Sequence, residues 1–261
     1  MTQVIPQAVQ YSSLLDSTVF ITGGASGIGA KLVEDFVAQG ARVGFVDIDE
    51  AAAQALIENL RQHHDPRHLP KFIACDITDV TALQHAIAAV RGQFGPIGVL
   101  LNNAANDKRH SVEATTSASW DAGIAINLKP QFFAAQAVLE DMKILGGGSI
   151  VNFGSISWML KQGGMPVYTT SKAAILGLTR SLARDFGPYR IRVNSLAPGW
   201  VMTEKQIALW VDEQAREEIA KGQCINQPLM PEHISQMALF LASDQSRMCT
   251  AQQFIVDGGW V

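Results

Sequence analysis

Short apolar runs with strand character alternate along this chain with longer segments whose apolar residues recur at helical spacing. The strand-like runs lie at 17–22, 41–49, 71–78, 97–105, 147–155, 191–199 and 252–259. Amphipathic segments separate them, for example at 50–62, 81–94 and 167–187. Strands that alternate with amphipathic helices are typical of a parallel sheet that helices cover on both faces. The alternation therefore predicts an α/β fold with a doubly wound parallel sheet of about seven strands.

The alternation also bears on domain organisation. No linker rich in Pro, Gly or Ser interrupts it, so we expect a single catalytic domain over 17–261 after an irregular lead-in over 1–16. A long helix is expected over about 118–145, broken near Pro130. We expect it to kink near Pro130, because proline has no N–H to donate to the carbonyl of Ile126.

Charge, hydropathy and cysteine usage exclude several classes of protein. The net charge is −4 and the basic residues are scattered, which argues against a nucleic acid or a membrane surface as partner. No apolar run reaches the length of a membrane span, and the first residues lack the basic region of a secretory signal. Cys75, Cys224 and Cys249 form no C-x-x-C pair, so we expect neither a disulfide framework nor a metal site. We therefore expect a soluble, cytoplasmic protein.

A glycine-rich turn follows the first strand-like run. Gly23, Gly27 and Gly29 have the spacing G-x-x-x-G-x-G, which differs from the G-x-G-x-x-G dinucleotide pattern. Glycines let the backbone approach a pyrophosphate closely, and the start of a helix favours negative charge. A turn of this kind alone is a weak signal, but its place between the first strand and a helix predicts a dinucleotide site of the Rossmann type.

Asp47 ends the second strand-like run, eighteen residues after Gly29. This is close to the separation expected for a carboxylate that binds the hydroxyls of an adenosine ribose. A carboxylate there would repel the 2′-phosphate of NADP, so Asp47 favours NAD. The structural alternative is that Asp47 caps the next helix, although Asp49 is the better candidate for that cap.

Ser155, Tyr168 and Lys172 are the candidate catalytic residues. In a helix that begins near Pro166, Tyr168 and Lys172 lie one turn apart on the same face. A phenol is a poor base at neutral pH, and a nearby ammonium lowers its pKa. With Ser155 bonded to the same reacting oxygen, the set can exchange a proton with an alcohol. The spacing of Tyr168 and Lys172 alone would fit two surface residues equally well. The surrounding motifs decide between that interpretation and a catalytic pair.

These motifs together resemble the short-chain dehydrogenase/reductase family. The resemblance rests on the TGxxxGxG turn at 22–29, on Asn102-Asn103-Ala104, on the separations of Ser155, Tyr168 and Lys172, on Asn127 and on Pro198-Gly199, and it spans nearly the whole chain. It implies that Tyr168 is the general base, that Ser155 orients the substrate oxygen, and that Lys172 holds the nicotinamide ribose. It also implies that Asn127 forms a water relay to Lys172.

The resemblance assigns the cofactor site residue by residue. The residues it places on the cofactor are Gly23, Ser26, Gly27, Ile28, Gly29, Asp47, Asp76, Ile77, Asn103, Ala104, Tyr168, Lys172, Pro198, Gly199, Val201 and Thr203. Asp76 would contact the adenine, and Asn103 would lie beside the ribose. The chain departs from the family at Ala105, where the family usually has Gly.

Polar residues after the fourth strand-like run predict the substrate site. Ligands of this fold bind at the carboxyl ends of the strands, and Asn106, Asp107 and Arg109 offer both donors and acceptors there. Trp158 is expected to present an apolar face to a sugar ring. The segment beyond Gly199 is interpreted as a lid over the substrate, centred on 203–222 and carrying Trp200, Met202, Gln206 and Trp210. The alternative is that the polar residues form a solvated loop and that the tryptophans lie in the core or in a subunit interface.

Within the family, strings such as NNAANDKRH and NFGSISW resemble bacterial aldose 1-dehydrogenases of the xylose type. This implies NAD-dependent oxidation of a cyclic aldose at C1 to the aldonolactone, with hydride passing to C4 of the nicotinamide. The alternatives are a polyol or secondary-alcohol dehydrogenase, a 3-oxoacyl reductase, and, remotely, a dinucleotide sensor without catalysis. The family also implies a homo-oligomer, with a tetramer favoured.

Overall fold

The computed structural model describes residues 9–63 and 69–261, and a parallel seven-stranded sheet forms its centre. The strands are β1 (Thr18–Thr22), β2 (Arg42–Asp47), β3 (Lys71–Ala74), β4 (Val99–Asn102), β5 (Gly148–Phe153), β6 (Ile191–Pro198) and β7 (Gln253–Val256). Their order across the sheet is β3-β2-β1-β4-β5-β6-β7, and each neighbouring pair is parallel. The predicted doubly wound Rossmann sheet is confirmed.

Helices connect the strands and lie on both faces of the sheet. In the described residues they are α1 (Gly27–Ala38), α2 (Glu50–His63), α3 (Val80–Phe94), α4 (Ser117–Asn127), α5 (Lys129–Leu145), α6 (Pro166–Phe186), α7 (Glu204–Leu209), α8 (Glu213–Gly222) and α9 (Pro231–Ala242). None of these helices has the length and apolarity that a membrane crossing needs.

The segment 203–222, which we expected only as a polar lid, contains the two short helices α7 and α8.

Two apolar clusters, one on each face, hold the helices to the sheet. On one face α1, α2 and α9 pack around residues such as Phe36 and Phe45, and on the other α3, α5 and α6 pack around residues such as Phe20 and Ile87. The central strands β2, β1, β4, β5 and β6 are mostly buried, which is why they are nearly continuous apolar runs, whereas the edge strands β3 and β7 are only partly buried. Each cluster joins residues far apart in sequence.

The helix predicted over 118–145 is interrupted rather than kinked. Leu128 has φ −129° and ψ −54°, ends α4 and precedes α5, in which Pro130 occupies the first turn. A proline is well accommodated there, because the first N–H groups of a helix have no intrahelical partner. The expected break near Pro130 is therefore present, at Leu128, and it separates two helices instead of bending one.

The described part of the lead-in is more ordered than expected. Residues 1–8 lie outside the described residues, whereas a 3₁₀ turn at Ser12–Leu14 places Leu14 in the core with 1% exposure. The backbone N–H of Tyr11 donates to Oε1 of Gln39 at 2.8 Å. The segment after residue 8 therefore packs against the end of α1.

The strand order reverses between β1 and β4, and this reversal positions the candidate site. The chain leaves β1 toward β2 on one side, whereas β4 lies on the other side. Loops after these two strands therefore diverge and leave a crevice at the carboxyl edge, where ligands of open α/β sheets bind. Thr22 and Asn102 are register partners at that edge.

Candidate active site

A cavity of about 920 Å³ extends along the carboxyl edge of the sheet. The loops after β1 to β6 and the helices α6 to α8 contribute to its wall. Its volume is at the upper end of the range usual for small-molecule and cofactor sites. The switch between β1 and β4 thus forms a single cavity with room for a dinucleotide and a small substrate.

The glycine turn after β1 has the backbone geometry that a pyrophosphate site needs. Gly23 and Gly27 have φ of +67° and +54°, a region that side chains disfavour. A Cβ at Gly29 would collide with the carbonyl oxygen of Gly23, so the helix start can approach the turn only without a side chain. The turn therefore leaves backbone N–H groups at the start of α1 facing the cavity.

Asn103 and Thr22 hold this turn in place. The Asn103 amide donates from Nδ2 to the carbonyl oxygens of Thr22 and Gly23 at 3.1 and 2.9 Å. The Thr22 hydroxyl oxygen accepts from the backbone N–H groups of Asn103 and Ala104, both at 3.1 Å. Asn103 thus braces the glycine turn in addition to lining the cavity.

Asp47 faces the same turn from the end of β2. Its Oδ2 accepts from the N–H of Ala25 at 2.9 Å, and its Oδ1 accepts from the N–H groups of Ile48 and Asp49 at 2.8 and 3.1 Å. Asp49 supplies the acceptor for the first turn of α2, through Ala52 at 2.9 Å. Asp47 is therefore not the helix cap, and its carboxylate stands in the cavity wall.

The structure brings every residue that we predicted for the cofactor to the wall of this one cavity. The set is Gly23, Ser26, Gly27, Ile28, Gly29, Asp47, Asp76, Ile77, Asn103, Ala104, Tyr168, Lys172, Pro198, Gly199, Val201 and Thr203. Ala105, the departure from the family pattern, also lines the cavity and does not have a positive φ. An alanine is therefore accommodated there without left-handed backbone strain.

Ser155, Tyr168 and Lys172 line the cavity at the carboxyl ends of β4 to β6. Lys172 follows Tyr168 by one turn of α6, and its Nζ lies 5.5 Å from the centre of the Tyr168 ring. The same Nζ donates to the carbonyl oxygen of Phe153 at 2.7 Å, and Lys172 is only 2% exposed. The Ser155 hydroxyl accepts from the N–H of Ser157 at 3.1 Å, which fixes its position.

Burial controls the ionisation of the two titratable groups. It raises the pKa of Tyr168 to about 12, with a further rise from the Asp107 carboxylate, while Ser155 and Arg109 act in the opposite direction. Burial lowers the pKa of Lys172 to about 7, against the opposing effect of Asp107. Lys172 therefore loses its proton before Tyr168 does. Lys172 is not among the groups that lower the pKa of Tyr168 in the protein alone, so its effect on the phenol stays a prediction.

Asn127 supports the site from outside the cavity wall. Its Oδ1 accepts from the backbone N–H of Asn106 at 2.8 Å, and its Nδ2 donates to the carbonyls of Asn106 and Gly123, both at 3.1 Å. The side chain is 2% exposed, and its hydrogen bonds in the described residues go to Asn106 and Gly123, whereas Nζ of Lys172 donates to Phe153. Asn127 thus anchors the loop after β4, and the water relay remains a prediction.

The predicted substrate residues separate into two groups. Asp107, Arg109 and Gln206 line the cavity beside Ser155 and Tyr168. Asn106 and Trp158 are not part of its wall, so their prediction as substrate contacts is not supported by the structure. The Asn106 Oδ1 instead accepts from the N–H of Lys108 at 3.1 Å. Trp158 lies in a turn after β5. Its separation from Ser155 along the sequence does not show which way this turn directs the indole.

Trp260 is one residue of the wall that was not predicted. Trp200 and Lys205 also line the cavity, and both belong to the segment after Gly199 that was expected to fold over the substrate. Trp260 follows β7, and the Asp257 carboxylate holds its loop by accepting from the N–H groups of Gly259 and Val261 at 2.8 and 3.0 Å. No local pattern indicates this position, because it depends on the pairing of β7 with β6.

Comparison with known proteins identifies the family. The model of a family described as "Enoyl-(Acyl carrier protein) reductase" matches residues 23–261. A "Probable galactose dehydrogenase GalD" of Rhizobium meliloti is 45% identical over 250 residues, which cover 96% of this chain and 97% of that protein. The chain belongs to the short-chain dehydrogenase/reductase family.

Two further comparisons agree with this assignment to the short-chain dehydrogenase/reductase family. A D-xylose 1-dehydrogenase of Caulobacter vibrioides is 42% identical over 250 residues, which cover 96% of this chain and 98% of that protein. The structure of a short-chain type dehydrogenase/reductase from Mycobacterium ulcerans superposes with a TM-score of 0.89 at 25% identity and covers 97% of this chain and 91% of that one. This short-chain dehydrogenase/reductase is an oxidoreductase that acts on CH–OH groups.

Proposed function

We propose that the protein oxidises a cyclic aldose at C1 to the aldonolactone with NAD as the oxidant. The observation that carries this proposal is that Ser155, Tyr168 and Lys172 line one cavity with the glycine turn and Asp47. Relatives that cover nearly the whole chain are named as galactose and xylose dehydrogenases, which supports a sugar as the substrate. The lactone would then hydrolyse to a sugar acid.

The cavity fits a dinucleotide, and its chemistry favours NAD over NADP. Around Asp47 the wall is formed by Ile48, Cys75, Asp76 and neighbouring residues, with no basic side chain among the described residues of that end. A 2′-phosphate there would face the two carboxylates without a cation. The basic residues of the wall belong to other elements than the loops after β2 and β3. Arg109 follows β4, Lys161 follows β5, Lys172 belongs to α6 and Lys205 to α7. Bound NAD would supply the nicotinamide carbon that accepts the hydride from C1.

Tyr168 is proposed as the general base for the C1 hydroxyl. A phenol whose pKa is about 12 holds its proton at neutral pH, so positive charge must stabilise the phenolate during the reaction. Lys172 can provide part of that charge, because a lysine with a pKa of about 7 is partly protonated at neutral pH. The Ser155 hydroxyl, held by the N–H of Ser157, would orient the same substrate oxygen.

The polar side chains beyond the catalytic residues support a polyhydroxy ligand. Asp107 can accept hydrogen bonds from hydroxyls, and Arg109 and Gln206 can donate to them. One of the Arg109 donors is unused in the protein alone, because its Nε is buried and has no hydrogen-bond partner in the described residues. A buried donor without a partner costs free energy, and the Arg109 side chain would recover it by turning its Nε toward a sugar oxygen on binding. Residence in the cytoplasm, a homotetramer, a single domain over 17–261 and a lid at 203–222 remain predictions.

The test is an NADH-absorbance screen of the purified protein against a matched set of substrates. The set contains pentoses and hexoses, the corresponding polyols, and a 3-oxoacyl thioester assayed in the reductive direction with NADH and NADPH. We expect turnover with at least one aldose and NAD, and a lactone as the first product. Activity confined to polyols or to the acyl thioester would contradict the aldose proposal, and binding of NAD without turnover of any substrate would favour the non-catalytic alternative.

A further inference from the structure

A chain of hydrogen bonds connects helix α7 to the loop after β4. The Asp107 carboxylate accepts from Nζ of Lys205 through Oδ1 at 2.9 Å and from Nε2 of Gln206 through Oδ2 at 2.7 Å. The Oε1 of Gln206 accepts in turn from the indole N–H of Trp200 at 3.0 Å. All four residues line the cavity that contains Tyr168. The chain thus joins two sides of the same cavity.

The two ends of this connection differ in how they are anchored. On the loop side, the buried Asn127 amide holds the backbone of Asn106, next to Asp107, at 2.8 and 3.1 Å. On the helix side, α7 is only six residues long and has no buried residue. A helix that buries no apolar face has little tertiary packing to hold it. Its hydrogen bonds to Asp107 therefore link it to the site, together with a contact between the Arg109 guanidinium and the ring of Trp210, the residue that follows α7.

We infer that Asp107 is a positioning residue, which holds helix α7 over the catalytic tyrosine and, through Gln206, fixes the Trp200 indole as the aromatic wall of the sugar site. The sugar part of this inference rests on the proposed function. Asp107 acts here through Gln206 and Lys205, whereas Tyr168 exchanges the proton. An indole with a fixed N–H presents its ring in one orientation, as the binding of an apolar sugar face requires.

Reversing the polarity of one hydrogen bond tests the inference. Asp107→Asn retains the shape of the side chain but replaces one of its two acceptor oxygens with an NH₂ donor. The remaining oxygen can accept from Lys205 or from Gln206, and the NH₂ group then faces the donor of the other residue. Gln206→Glu retains the acceptor for Trp200 but places a second carboxylate beside Asp107. In the double variant, the amide introduced at position 107 can donate to the carboxylate introduced at position 206, while the amide oxygen accepts from Lys205. The local charge is then the same as in the original protein.

The expected result is loss in each single variant and recovery in the double variant. Each single change should lower kcat/KM about tenfold, mainly through a higher KM for the sugar, because a hydrogen bond to a charged group is lost. The double variant should return to within about threefold of the original value. The affinity for NAD, measured by titration, should change less than the KM for the sugar, because these side chains lie away from the Asp47 end of the cavity and only Thr203, among the predicted cofactor residues, caps α7.

Amide hydrogen exchange of residues 204–209, measured without substrate, separates this inference from the proposed function. Exchange should be faster in both single variants and slow again in the double variant, whichever substrate the enzyme uses. The matched control is Lys221→Met in α8, which removes another lysine–carboxylate pair, with Glu217 at 3.1 Å, on the same segment. The inference would be overturned if exchange were unchanged in the single variants. It would also be overturned if the fold-loss of kcat/KM in the double variant equalled the product of the two single losses.

Discussion

Replacing Lys172 with Met tests how strongly burial acts on the catalytic centre. The pKa of Lys172 is lowered from 10.5 to about 7 because burial disfavours the ammonium. The unfolded chain therefore binds more protons than the folded chain between these two values, so stability rises with pH in that range. At 1.36 kcal/mol per pH unit, burial of this charge costs roughly 4 kcal/mol at pH 7 and roughly 2 kcal/mol at pH 9.

The variant removes this pH dependence and leaves constant contributions unchanged. Met also loses the hydrogen bond to Phe153, but that loss does not vary with pH. The stability of the original protein relative to Lys172→Met should therefore rise by about 2 kcal/mol between pH 7 and pH 9. The measurement is urea unfolding without cofactor at pH 7, 8 and 9, at one protein concentration so that any oligomerisation is held constant.

A control on an exposed lysine completes this experiment. Lys221 has a side chain that is 77% exposed, so Lys221→Met should give a stability difference that is the same at all three pH values. If the difference between the original protein and Lys172→Met were also constant with pH, the ammonium would not be destabilised by burial. The account of Lys172 as a partly protonated neighbour of Tyr168 would then have to be abandoned.

Three further variants test other parts of the site. Tyr168→Phe should leave NAD affinity unchanged and lower kcat roughly 10²–10⁴-fold, the usual contribution of a positioned general base, and normal turnover would remove Tyr168 from the mechanism. Asp47→Ala should lower the ratio of kcat/KM for NAD to that for NADP, because a carboxylate that repels the 2′-phosphate is lost, whereas an unchanged ratio would place the ribose contact elsewhere. In Gly222→Ala, the new Cβ would collide with the Trp260 indole. We expect KM to change more for hexoses than for pentoses, and equal changes for both would show that Trp260 does not bound the sugar.

Much of the cofactor site could be predicted from the sequence because its signals are local. The glycine spacing, the strand that ends at Asp47 and the one-turn separation of Tyr168 and Lys172 each depend on neighbouring residues. Parallel strands then bring their carboxyl ends to one edge, so a residue at the end of a strand has a known place. The family resemblance implied the other cofactor residues, and the whole predicted set lies in the cavity wall.

The substrate side could be predicted only in part, because loops have no periodicity. Asp107 and Arg109 reach the cavity whereas their neighbour Asn106 does not, and no property of the three side chains distinguishes them in advance. Trp158 lies outside the wall, while Trp260, at the far end of the chain, contributes to it. These outcomes depend on how β7, α7 and the loop after β4 pack together.

The sequence by itself determined the succession of strands and helices, the place of the glycine turn and the candidate catalytic residues. Only the tertiary structure decided the ionisation of Tyr168, because burial and Asp107, which is distant in sequence, raise its pKa to about 12. Burial also lowers the pKa of Lys172, so that this lysine loses its proton more easily. It also decided that Asn127 holds the loop after β4 and that Asp107 bonds to α7. Periodicity and spacing are properties of adjacent residues, whereas desolvation and hydrogen bonds between loops depend on residues that only folding brings together.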